Sequence, residues 1–481
     1  MILSSLLYIM LFFVAAGIYF LLPQRIRWLF LLLFGYYFYL YWGIVPVLVL
    51  LYVTAASYAA GLVMGRPLHG AVRKAVFVLS VVCVLLPLVY FKYAGFLAES
   101  AAGLLDLFGV TFSKSFSHVA VPTGISFFTF LAVAYLVDVY RTQVSPEKNP
   151  GVFALFISFF PIVLSGPIER AGSLIPQLKQ TPGFDAEMVQ EGLKRFFFGL
   201  FKKIVIADRL AMYVNEVYGN YDEYTGLALV LAIYFYSFQI YCDFSGYTDM
   251  AIGSAQILGI NVMENFQRPY LARSIPDFWR RWHISLSRWL RDYIYIPLGG
   301  NRVTRARLFF NIFVTFFICG LWHGANWTFV FWGLLYCLYY VVHHLTAKKS
   351  RVFPTAPPAK RPWLNETGKI LLTFHLVTFA WIFFRSASMY DAVALIAGVG
   401  RGPFFSGSLD VGLGVFNLVL SLVLVGCLIV WEVLSESAPL YIERVKQQTP
   451  LSVKICIWAV FVLSFFLLGV FHGTDFIYFN F

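Results

Sequence analysis

Apolar runs of about twenty residues recur along the whole chain, separated by short polar segments, and each is long enough to cross a hydrocarbon core about 30 Å thick. The runs are apolar on nearly every face. From Leu418 to Trp431 only Ser421 and Gly426 interrupt. That pattern fits helices surrounded by lipid or protein and excludes the alternation of a transmembrane strand. The spacing predicts spans near 6–22, 28–42, 45–63, 75–93, 120–139, 193–216, 227–243, 308–321, 327–346, 369–384, 412–434 and 453–471. Two further stretches, 151–167 and 246–262, do not fit as full crossings. Pro161 and Pro167 interrupt the first, and Gly246, Gly253 and Gly259 punctuate the second. Both read as re-entrant or partial helices, which are tolerated where protein or a cavity covers them. The first run, Leu6 to Leu22, has no Lys or Arg ahead of it, so it reads as a retained helix rather than a cleaved signal.

Composition agrees: 60% of the 481 residues are hydrophobic and 12% charged, against about a quarter charged in soluble domains. The net charge of +12 sorts by loop rather than marking nucleic-acid binding, because Lys and Arg concentrate on the cytoplasmic side of a membrane protein. Arg25 and Arg27, Arg66 to Lys74, Arg141 and Lys148, Lys179, Lys194 to Lys203, the stretch 267–307, Lys348 to Arg361, and Arg444 and Lys446 are placed there. Segments 94–119, 219–225, 386–410 and the tail after Phe471 are leaner and fall outside. This gives about twelve crossings with both ends outside. The six cysteines are scattered, with no CxxC pair and no metal-ligand spacing, and read as small packing residues. The chain is expected to be one membrane-embedded unit, 1–481, with its chemistry concentrated between about 120 and 346 and a proline-containing surface loop at 350–362.

Two histidines interrupt this pattern. An ionisable side chain at membrane depth is costly unless paired or wet, so it marks a candidate site. Imidazole is also suited to exchange a proton near neutral pH. His323 lies in Leu321-Trp322-His323-Gly324-Ala325-Asn326, sixteen residues beyond Arg307. That is roughly 24 Å of helix, which puts it well inside the bilayer at the bend of a helical hairpin. Gly320 and Gly324 suit a tight bend or a close backbone approach. A histidine simply hydrogen-bonded at a hairpin tip fits this spacing as well as a catalytic one does. His283 lies in the most basic stretch, beside Arg280, Arg281 and Arg288, with Trp279, Trp282 and Trp289 interleaved. The stretch reads either as an amphipathic helix anchored on lipid headgroups or as an entrance for a phosphorylated substrate, since Arg grips phosphate bidentately. His343 and His344 sit at the end of a span, and His375 reads as a core histidine.

Several blocks resemble the membrane-bound O-acyltransferase family, in its bacterial polysaccharide branch. They are Tyr90-Phe91-Lys92-Tyr93, Pro122-Thr123-Gly124-Ile125-Ser126-Phe127, Asp243-Phe244-Ser245-Gly246-Tyr247-Thr248-Asp249, Glu264-Asn265-Phe266, Phe278-Trp279-Arg280-Arg281-Trp282-His283, Pro297-Leu298-Gly299-Gly300-Asn301-Arg302 and Leu321-Trp322-His323-Gly324-Ala325. The resemblance implies an all-α polytopic fold, a ring of about 11–12 transmembrane helices with re-entrant and amphipathic pieces around a central funnel. It implies His323 as catalytic histidine and His283 as a second functional one. Asn326, Trp322, Arg280, Arg281, Arg288 and Trp279 are then candidates for substrate binding. The implied reaction moves an acetyl group from cytoplasmic acetyl-CoA, with no bound cofactor or metal, across the cytoplasmic membrane. The final acceptor is an extracytoplasmic polysaccharide (alginate, peptidoglycan or another exopolymer), reached through a partner protein at the outer face. Three alternatives stand beside it: D-alanyl transfer to teichoic acid, a transporter of an acylated intermediate, and a catalytically inactive scaffold for a synthase complex, against which the intact His323 argues. The second would rest on intramembrane carboxylates such as Asp138, Asp243 and Asp249, but the chain lacks an internal repeat.

Overall fold

The computed structural model describes residues 3–109, 120–346, 363–405, 409–471 and 476–477; their regular structure is all helical, with no strand among them. In chain order the helices are α1 (Leu6–Leu21), α2 (Gln24–Leu40), α3 (Ile44–Met64) and α4 (Gly70–Leu88). A π turn, Val89–Tyr93, then leads into α5 (Ala94–Asp106). Next come α6 (Ile125–Tyr140), α7 (Pro150–Ser158), α8 (Ala171–Gln180) and α9 (Ala186–Phe201), a second π turn, Lys202–Ala207, then α10 (Asp208–Gly219) and α11 (Leu227–Ile257). The basic stretch forms α12 (Ile275–Arg281), α13 (Ile284–Leu290) and a third π turn, Arg291–Tyr295. The rest comprises α14 (Arg305–His323), α15 (Trp327–Thr346), α16 (Trp363–Arg385), α17 (Met389–Val399), α18 (Val415–Ser437), α19 (Pro439–Gln448) and α20 (Leu451–Leu468). The loop expected at 350–362 lies outside the described residues.

Among the described residues eight helical segments are long and apolar enough to cross a membrane: α3, the joined α4 and α5, α11, α14, α15, α16, α18 and α20. The expected spans at 6–22 and 120–139 appear as the shorter apolar helices α1 and α6. The chain is a multi-pass membrane protein. Its middle is α6 and α11, buried on nearly every face. At the periphery, α20 buries only Phe465 among its described side chains, as a helix facing lipid should. The 151–167 stretch is α7 followed by an irregular, buried segment from Phe159 to Ile168, in keeping with a partial helix covered by protein.

Three expectations are corrected. Gly246 and Gly253 do not break a helix: α11 runs unbroken to Ile257, and Gly259 follows its end at φ 79°. A Cβ on Gly246 would meet Gly199 O at 2.7 Å, and one on Gly253 would meet Gly192 O at 2.6 Å. These glycines let α9 and α11 touch backbone to backbone, the membrane use of small residues. Second, Lys202 and Lys203 are not loop charges. The π turn directs both inward, where Lys203 Nζ lies 2.7 Å from Asp208 and 2.9 Å from Asp243. Lys202 Nζ meets Asp249 at 2.5 Å and donates to Ser245 Oγ. Charge counting cannot separate a loop lysine from one answered by a carboxylate on a neighbouring helix. Third, the basic stretch is not one amphipathic helix but two of seven residues each, broken at His283.

Candidate active site

The site is built on the α14–α15 hairpin. A Cβ at Gly320 would lie 2.4 Å from Phe329 O, and one at Gly324 2.2 Å from the Phe329 ring. Gly324 has φ −168°, extended backbone open to any residue. The two glycines therefore serve close approach, not an unusual turn. The hairpin ends α14 at His323, which is 2% exposed. Its ring is packed edge-on by Trp332 at 4.8 Å and Phe384 at 5.1 Å, with Trp322 at 4.9 Å. Trp322 also lies 5.6 Å from the His283 ring. One indole thus bridges two histidines that are forty residues apart in sequence.

His283 is fully buried and held in the left-handed region at φ 42°, uncommon for a residue with a Cβ. The surroundings fix it there. Ile284 N donates to Asn265 O at 3.0 Å, and Gln267 N to Arg281 O at 2.9 Å. Asn265 Oδ1 is shared by Ser285 N–H (3.1 Å), Ser285 Oγ (2.9 Å) and His283 Nδ1 (3.1 Å). Phe244 packs edge-on against the imidazole at 4.7 Å.

Two cavities flank the C-terminal half of α14, and His323 lines the first. The first, about 40 Å³, is lined by Lys92, residues 121–127, Leu164, Trp322 and His323 itself. The second, about 70 Å³, runs along α14 past Ile312, Thr315, Phe316 and Cys319, with Trp279, Ser287, Leu290, Arg291, Tyr295 and Tyr340 opposite. Cys319 is one helical turn before His323. Arg291 brings the basic stretch to the second cavity, and the 121–127 segment lies just past the charge-poor 94–119 stretch, so the two cavities belong to opposite sides of the chain's charge pattern.

The remaining predicted site residues separate. Trp322 lines the first cavity and Trp279 the second. Asn326 lines neither: its amide donates to Ala387 O at 2.9 Å and its Oδ1 accepts from Thr328 N at 3.0 Å, so it starts α15 and ties it to the segment after α16. Arg281 is held by Asp277 at 3.3 Å and Glu436 at 3.0 Å, and Arg280 reaches Asp277 at 3.2 Å. These two brace α12, with Arg281 also joining it to α18. Arg288 is exposed.

Three residues belong to the site without having been singled out as candidates. Lys92 Nζ donates to Trp322 O at 2.6 Å, His323 O at 3.3 Å and Ser126 Oγ at 3.3 Å. Asn265 orients His283, and Ser126 contributes a hydroxyl beside Lys92. All three stand in blocks that carry the family resemblance, which was the signal for them; their partners come from distant segments. Chemically, a buried imidazole on the first cavity, with Lys92 beside it and the arginine-bearing second cavity one helical turn away, can take a proton from a hydroxyl entering the first while an acyl donor enters by the second.

Comparison with known proteins places the chain in a family. Residues 125–386 match the model of MBOAT, the membrane-bound O-acyltransferase family. The chain is 38% identical over 394 residues to the probable alginate O-acetylase AlgI of Pseudomonas aeruginosa, covering 82% of this chain and 73% of that one. It is 35% identical over 402 residues to the peptidoglycan O-acetyltransferase of Helicobacter pylori, covering 77% and 73%. It is 28% identical over 281 residues to the teichoic acid D-alanyltransferase of Bacillus subtilis, covering 54% and 68%. A multi-pass helical protein with its histidine-bearing hairpin inside the matched region, this chain belongs to the membrane-bound O-acyltransferase family and is an O-acyltransferase.

Proposed function

We propose that this chain takes the acetyl group of acetyl-CoA at the cytoplasmic face of the inner membrane and passes it to a hydroxyl presented from the outer face. From there a partner protein carries it to an extracytoplasmic polysaccharide such as alginate or peptidoglycan. The observation that carries the reading is that His323 lines the first cavity while the second reaches Cys319, one helical turn before it on α14. Arg291 and the exposed Arg288 offer charge to the phosphates of CoA.

In this reading His323 removes the hydroxyl proton as the oxygen attacks the thioester carbonyl. The tetrahedral intermediate collapses with loss of thiolate, and the imidazolium returns its proton to the sulfur, releasing CoA thiol and the O-acetyl ester. His283 acts at the same centre across Trp322. A well-placed base contributes about 10²–10⁴-fold. The test is the O-acetyl ester content of surface polymers in a strain lacking the gene, complemented with wild type or His323→Ala. Ester restored by the wild type and not by the variant supports the reading. Wild-type ester levels with His323→Ala at normal abundance would sink the assignment. Unchanged acetylation in all strains would point to D-alanyl transfer.

A further inference from the structure

Lys92 sits on the π turn between α4 and α5, where it and Tyr93 reach across to the end of α14. Tyr93 Oη donates to Leu321 O at 2.8 Å, and Lys92 Nζ to the carbonyls of Trp322 and His323. Three consecutive carbonyls at the C-terminus of α14 are therefore answered by two adjacent side chains. The last carbonyls of a helix lack intrahelical partners and carry the negative end of its dipole, so a cation suits them. An inserted π residue rotates the downstream helix by about 100° relative to an unbroken α-helix, so the Val89–Tyr93 turn is the element that aims both side chains at α14. The ammonium has three protons and meets three oxygens, the third being Ser126 Oγ; a neutral amine has only two. Among the described residues no carboxylate pairs with Lys92.

We propose that Lys92 is a positioning residue for acyl transfer: its ammonium, placed by the π turn, clamps the main chain of Trp322 and His323 and holds the imidazole in the wall of the first cavity. The proposal rests on the reading of His323 as the base. A misplacement of about 1 Å at such a centre costs on the order of 100-fold in rate, while the fold has many other contacts to keep it intact.

The experiment compares Lys92→Met, Lys92→Arg, Tyr93→Phe and His323→Ala in the complemented deletion strain. It measures the initial rate of O-acetyl ester formation per unit of membrane protein and the melting of each detergent-extracted chain. Lys92→Met is expected to lose about 100-fold, Lys92→Arg, which keeps the cation, to stay within about 10-fold, and Tyr93→Phe, which removes one bond and no charge, to lose less than 10-fold, all melting near the wild type. If Lys92→Met fails to accumulate, Lys92→Gln takes its place, and if that also fails, Lys92→Arg against Tyr93→Phe decides. The proposal is overturned if the neutral variant keeps a rate within threefold of wild type, if Lys92→Arg is no better than the neutral variant, or if Tyr93→Phe falls as far as Lys92→Met. An active His323→Ala would instead remove the reading on which it rests, and the two failures are separate.

Discussion

Nδ1 of His283 lies 3.1 Å from Oδ1 of Asn265, an atom that Ser285 N–H reaches at the same distance. A backbone N–H only donates, so that atom is the acceptor and His283 presents its Nδ1–H to it. In the neutral ring the lone pair is then on Nε2. Asn265→Leu removes this orientation. Loss of a partner that fixes an imidazole tautomer costs about 10–100-fold in metal sites, and a loss in that range is expected here in the rate of ester formation. A folded Asn265→Leu chain with wild-type rate would show that Asn265 does not set the tautomer.

Gly320→Ala is expected to push α15 away from α14, because the new Cβ meets Phe329 O at 2.4 Å. Overpacking of this kind costs about 1–3 kcal/mol, and it moves the helix end that carries His323. Melting and ester formation should both fall. Gly17→Ala, where nothing lies within 4 Å, is the control and should change neither.

Asp243 Oδ1 forms an ion pair with Lys203 Nζ at 2.9 Å, and its other oxygen accepts from Ile477 N at 2.8 Å. Removing one partner of a buried pair costs about 3–5 kcal/mol, whereas replacing both by apolar groups is often close to neutral. Asp243→Leu alone should lower the melting temperature and the membrane yield. Combining it with Lys203→Met should recover part of the loss, less what Asp208 and Ile477 no longer receive. An unchanged melt in the single variant would show that the pair does not hold the core.

The arginines of the basic stretch should divide by partner. Arg281→Ala removes one partner each from Glu436, which keeps Arg268, and Asp277, which keeps Arg280, and is expected to cost up to about 1 kcal/mol, since the pair is partly exposed, with little effect on donor affinity. Arg288→Ala with Arg291→Ala should leave melting unchanged and raise the apparent KM for acetyl-CoA severalfold, more at low salt than at high. Steady-state kinetics of the purified chain at two ionic strengths separates the two groups.

The membrane class, the approximate position of most spans and the hairpin that carries His323 are determined by the chain alone, because twenty-residue apolar runs have few other solutions and an ionisable residue inside one stands out. His283 was legible for the same reason, as a histidine within a basic, aromatic stretch. Partnership is the property that no local pattern carries. Lys202 and Lys203 look like loop charges until α11 brings Asp249 and Asp243 against them. Gly246 and Gly253 look like breakers until α9 lies on them. Asn326 looks like a donor to the reaction until Ala387 and Thr328 occupy its amide. Lys92 and Asn265 acquire meaning only because a π turn and an extended segment carry them to α14 and to His283. Hydrophobic burial along the sequence decides where the chain is apolar. Only packing between distant helices decides which polar atoms meet, because hydrogen bonds and ion pairs act over about 3 Å and depend on register and rotation that hydropathy leaves open.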